Sequence, residues 1–121
     1  MLGRAALDRV LAATGDEGRG ADPRDMRDST RFLLEELAAQ APGRSVEVRV
    51  PPHGAVQCGS GPGAGEGPRH TRGTPPSVVE TDALTWLQLG TGVLTWTDAV
   101  AQGRVVASGR RADLACLLPL V

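Results

Sequence analysis

The sequence predicts an α+β fold, with helices covering one face of a mostly antiparallel sheet. Three observations carry this reading. The hydrophobic period switches from 3.6 to 2 between the Leu33, Leu34, Leu37 segment and the Val46, Val48, Val50 segment. Short valine-containing runs return at 55–58, 77–81 and 104–108. Gly and Pro clusters separate nearly every candidate element. The expected order is α, α, β, β, β, α, α, β, α, with no internal repeat, and residues 1–121 form a single domain.

From Leu2 to Thr14, Leu2, Ala6, Val10 and Ala13 share one stripe with Leu7 and Leu11 beside it, which predicts a helix ended by Gly15. Arg4, Asp8 and Arg9 interrupt the apolar stretch a secretory leader would need, so this segment reads as part of the mature protein. Residues 15–21 are polar and glycine-rich and read as a loop. Asp22 is placed to cap free amides, Pro23 has the fixed φ suited to a first helical position, and Asp25 lies where the helix dipole favours an anion. Met26, Leu33, Leu34, Leu37 and Ala41 continue that helix to the stop at Pro42-Gly43.

Ser45 to Val50 alternates three valines with Glu47 and Arg49, a half-buried strand. The breakers Pro51-Pro52-His53-Gly54 turn the chain back into Ala55–Cys58 as a hairpin partner. Glycine then occupies every second position from Gly59 to Gly67, so that little side chain offsets the ordering entropy and an exposed, mobile loop is expected. Ser77–Thr81 is a further strand, preceded by Thr74-Pro75-Pro76 at a sheet edge. Asp82 caps a helix carrying Leu84, Leu87 and Leu89, closed by Gly90-Thr91-Gly92. Thr95 and Asp98 have capping-box spacing and open a second short helix to Gly103. Arg104–Ser108 is the last strand. Leu114, Leu117 and Leu118 are spaced for a closing helix from Arg111 to Leu118, stopped by Pro119.

Composition narrows the chemistry. With 13 Lys+Arg against 14 acids and a net charge of -1, there is no basic surface for nucleic acid. No run approaches the roughly 20 apolar residues of a membrane span, and the cytoplasm is the expected compartment. Lys, Asn, Ile and Tyr are absent, so every cation is Arg, and neither a Schiff base nor a phosphate-loop lysine exists. The glycines at 59, 61, 63, 65 and 67 do not form G-x-G-x-x-G, which argues against nucleotide binding. His53 and His70 lack ligand-pair spacing, and Cys58 and Cys116 are too far apart for a metal knuckle or redox pair, so neither metal nor cofactor is expected. No G-x-S-x-G turn accompanies the serines. Glu35-Glu36 reads as the solvated face of a helix.

Two features stand out. Arg69, His70 and Arg72 place three potential cations within four residues, enough to hold a carboxylate or phosphate if they rim a pocket, and otherwise a solvated loop. Trp86 and Trp96 are two of only three aromatics and fall in the two short helices, as core residues or as walls of an apolar cavity.

The stretches Asp82–Gly92, Trp96–Val105 and Ser108-Gly109 followed by Leu114 resemble the sterol carrier protein family. Arg31–Leu37, Glu47–Pro52, His70–Pro76 and Val79–Asp82 are similar to its small actinobacterial branch, and the resemblance covers residues 22 to 120. It implies an α+β fold around a hydrophobic cavity that binds a lipid-like molecule, fatty acyl or sterol-like, without transforming it. The apolar faces then supply the ligand-binding residues. Val48, Val56 and Val78 come from the strands, and Leu84, Leu87, Trp96 and Val100 from the two short helices. Leu114, Leu117 and Leu118 come from the closing helix, with His70 and Arg72 as head-group contacts. Related domains form the C-terminal halves of thiol-dependent isomerases, whose metal chemistry lies in a separate helical bundle for which 121 residues leave no room, so an enzyme is not expected. The alternative is a non-catalytic interaction module with a filled core, its closing helix buried against a partner or in a homodimer.

Overall fold

A computed structural model describes residues 2–13, 22–59, 77–109 and 111–121. Within them the order is α1 (Leu2–Ala13), α2 (Pro23–Gln40), β1 (Val46–Val50), β2 (Gly54–Cys58), β3 (Ser77–Thr81), α3 (Ala83–Thr91), α4 (Trp96–Ala101) and β4 (Val105–Ser108). The glycine-rich loop expected at 59–67 lies outside the described residues except for Gly59.

Local chemistry sets the helix starts. The Asp22 carboxylate accepts from the Arg24 amide at 2.7 Å, and Pro23, at a position whose amide would have no intrahelical partner, opens α2 without costing a hydrogen bond. At α3 the Asp82 carboxylate accepts from the Thr85 amide at 2.8 Å and from the Thr85 hydroxyl at 3.1 Å. Gly92, at φ 82°, ends that helix in the left-handed region. Thr95 Oγ1 accepts from the Asp98 amide at 3.1 Å to start α4. Asp82→Ala is expected to cost about 0.5–2 kcal/mol in urea unfolding. A change near zero would mean that α3 is held by its packing alone.

The four-stranded sheet runs β2-β1-β3-β4. The two outer pairings are antiparallel and the central β1–β3 pairing is parallel. Register fixes the faces. Val46, Val48 and Val50 lie opposite Cys58, Val56 and Gly54, and the first two also lie opposite Ser77 and Val79 of β3. This inner face lies under α2: a side chain at Gly54 would sit 3.6 Å from Leu34 Cδ1. The outer face carries Gln57, Glu47, Arg49 and Glu80 toward solvent, with Arg49 bonded to Glu47, as expected of a sheet buried on one side only.

Helix α1 buries Ala6, Leu7 and Val10 and packs on α2. Arg9 forks onto Asp25 with bonds of 2.8 and 2.9 Å. That hydrogen-bonded guanidinium holds the Asp25 carboxyl below its usual range. The contribution is therefore present at neutral pH and is lost as pH falls through the lowered value.

The expected closing helix does not form. Residues 115–117 make a single turn, with the Leu117 amide donating to the Leu114 carbonyl at 2.9 Å. A local acceptor competes with the helical ladder, since the Asp113 carboxylate takes the Ala115 amide at 2.9 Å. Just past the expected helix, the Gly90 carbonyl takes the Leu120 and Val121 amides at 2.8 and 3.2 Å and ties the end of the chain to α3. The segment instead crosses the end of α3, anchored by Leu114 and Leu120 in the core.

Candidate functional site

The inner sheet face and the helices above it bound one continuous apolar interior. Val46, Val48, Val50, Cys58 and Val79 form its floor, and Leu33, Leu34 and Leu37 of α2 with Trp86, Leu87 and Leu89 of α3 form its roof. The sequence permits this because β1 places a valine at every second position and α2 repeats leucine at intervals of three and four. The two roof helices approach closely at Gly90, where a Cβ would come within 2.8 Å of Leu33 Cδ1.

Polar groups inside are few. The Trp86 indole donates to the Thr30 carbonyl at 3.2 Å, which fixes the buried ring against α2. Ser29 Oγ donates to the Asp25 carbonyl at 2.6 Å. Thr30 Oγ1 is buried without a hydrogen-bond partner. Burial pushes the Cys58 thiol up to about 11, so it stays protonated at neutral pH. Cys116 is exposed. A maleimide reagent at pH 7 is therefore expected to modify one thiol per chain quickly, at Cys116, and the second only on unfolding. Equal rates at both positions would contradict the buried setting of Cys58.

The residues selected from sequence do not all meet. Val48, Leu87 and Leu114 lie fully inside, at 0%, 2% and 0% exposure. Trp96 is buried at the core margin, and Val56, Leu84, Leu117 and Leu118 are half-buried. Val56, Leu117 and Leu118 pack against the core. Val78 pairs with Glu47 and so lies on the opposite, outer face from Val48 and Val56. Val100 is 47% exposed on α4. His70 and Arg72 lie outside the described residues. Sequence reasoning passed over Thr30, Leu33, Leu34 and Leu37 as interior wall. The helical period of α2 carried the signal for the three leucines, whereas nothing local marks Thr30.

A sheet buried on one face and roofed by α2 and α3 defines an α+β domain with one apolar interior. Residues 22–120 match the family described as bacterial SCP ortholog, and the chain belongs to that sterol carrier protein-like family. The match begins at the Asp22 cap and leaves α1 outside it. The search of curated proteins finds no match. Among the described residues, no helix is long and apolar enough to cross a membrane, and no group of three or more His, Cys, Asp or Glu is placed to hold a metal.

Proposed function

We propose that residues 1–121 act as one non-catalytic carrier of a lipid-like molecule, fatty acyl or sterol-like, working in the cytoplasm without a cofactor. Family membership across residues 22–120 is the observation that supports this reading. The ligand would enter the seam between the inner sheet face and α2–α3. Val48, Val56, Leu84, Leu87, Trp96, Leu114, Leu117 and Leu118 would form its wall. His70 and Arg72 would stand as head-group contacts. Val78 and Val100, by their placement, would contribute least.

The energetics are reasonable for such a seam. Each buried methylene contributes about 0.8 kcal/mol, so about ten of them give on the order of 8 kcal/mol. Against this stands the displacement of side chains that are in mutual contact: Val48, Leu87 and Leu114 are nearly inaccessible to water. Ligand uptake would therefore be coupled to an outward shift of the C-terminal segment or of α3.

The same tight packing favours a second reading, an interaction or dimerisation module with a filled core, and Val93 and Val106 at 70% and 69% exposure suit it. Native mass spectrometry of the protein from its own cytosol, followed by organic extraction, separates the two. A stoichiometric acyl or sterol-like ligand is expected. A bare mass with no uptake from a panel of fluorescent lipids would overturn the carrier reading in favour of the module.

A further inference from the structure

Where β4 begins, one cation is held in an unusual way. Arg104 Nε donates to Thr85 Oγ1 at 3.1 Å, one terminal nitrogen donates to Gln88 Oε1, and the other to Gln102 Oε1 at 3.5 Å. All three acceptors are neutral. Among the described residues, none of the ion pairs includes Arg104. The nearest carboxylate in this network, Asp82, is spent on the Thr85 amide and hydroxyl as the cap of α3. The backbone is fixed as well: the Arg104 amide donates to the Ala99 carbonyl at 3.0 Å, and its carbonyl accepts from Thr81 Oγ1 at 2.8 Å.

A hydrogen-bond count shows what the cluster offers. A guanidinium has five N–H donors, and the contacts above use three, leaving two. Both glutamines give their oxygens to Arg104, so their amide NH2 groups take no part in these bonds and remain as donors. Donors are left over on a guanidinium that touches no carboxylate directly, Asp82 being one hydroxyl away through Thr85. Arg104 and Gln88 are half-buried and Gln102 is exposed, so solvent reaches the group without fully screening it. Its orientation is set before any ligand arrives, and planar donor pairs of this kind suit carboxylate and phosphate oxygens.

We propose that Arg104, with Gln88 and Gln102, forms an oxyanion-binding site that takes the carboxylate or phosphate group of an amphiphilic ligand. The assignment to an amphiphile rests on the carrier reading; the affinity for an oxyanion does not. On α3, Gln88 follows Leu87 directly and lies about one turn after Leu84, so the site adjoins the helix that roofs the apolar interior.

The test compares a long-chain fatty acid with its methyl ester, in wild type and in Gln88→Glu. Glutamate keeps the acceptor for Arg104 and the fold, but supplies an internal counter-charge and removes the amide donors. Wild type is expected to prefer the acid by about tenfold or more, as one charge-assisted bond provides. Gln88→Glu is expected to cut that preference by about tenfold, leaving only what His70 and Arg72 supply, while its affinity for the ester and its melting temperature hold. An undiminished preference in Gln88→Glu would overturn the site. If neither lipid binds, the carrier reading fails, and an inorganic phosphate titration followed at the Arg104 Nε–Hε resonance decides the oxyanion site alone. A saturating shift that is absent from Gln88→Glu supports it; an unmoved resonance overturns it.

Discussion

Trp86→Ala is expected to lower stability by about 3–5 kcal/mol, the cost of removing the largest buried side chain and leaving a cavity behind it. Trp86 is fully inaccessible, and its indole nitrogen is tied to α2 through the Thr30 carbonyl. The variant therefore loses volume and the hydrogen bond that registers α3 on α2. Whole domains are stable by only about 5–15 kcal/mol, so the loss is a large fraction of the total. Urea unfolding reads it directly, with Trp96 left as the sole indole reporter in a chain without tyrosine. Trp86→Phe retains most of the ring and is expected to fall between wild type and Trp86→Ala. A loss below about 1 kcal/mol in Trp86→Ala would mean that α2 and α3 close over the gap, contrary to the tight approach at Gly90.

Gly109→Ala is expected to be the other severe change. Gly109 turns the chain out of β4 at φ 100°, where an L side chain is strained, and its Cβ would collide with Ser77 Oγ and fall 2.8 Å from Ser77 Cα. The second contact is with backbone, which no rotamer change relieves. Strain of about 1–2 kcal/mol and overpacking of about 1–3 kcal/mol together give a loss of roughly 2–5 kcal/mol. Gly103→Ala is the internal control: its φ is 71°, but its Cβ would meet nothing within 4 Å, so only the strain remains. Thermal melts of the two variants separate packing from conformation. Equal losses would remove the close approach of Gly109 to β3 as a cause.

What could be read from sequence follows the range of the interactions. The caps at Asp22, Asp82 and Thr95 were legible because donor and acceptor lie within three residues of each other. The inner face of β1 was legible because Val46, Val48 and Val50 alternate with charged residues. The faces of β3 were not, since Val78 and Val79 are adjacent and apolarity alone does not say which turns inward; pairing with Glu47 and Val48 decides it. Val100 belongs to a six-residue helix, too short to display a period. The leucine spacing at 114, 117 and 118 does not reveal that the Asp113 carboxylate takes the Ala115 amide, nor that the chain just beyond is tied to the Gly90 carbonyl. The Arg104 cluster joins α3 to the turn after α4, with residues 19 and 16 positions apart in two of its contacts, and no linear motif announces such a set.

The parallel ladder at the centre of the sheet has a consequence for how the chain assembles. Each antiparallel pair joins strands within one half of the sequence, β1 with β2 and β3 with β4, whereas β1 and β3 are joined only across the halves. The seam between Val48 and Val79, roofed by α2 from the first half and α3 from the second, is thus an internal interface between two folding units. Partners across this seam, such as Val48 and Val79, lie about as far apart in sequence as those that join β3 to β4, so of the three ladders only the β1–β2 hairpin is local, and the other two are the kind that closes slowly. An opening along the seam would part the two halves rather than unravel either one.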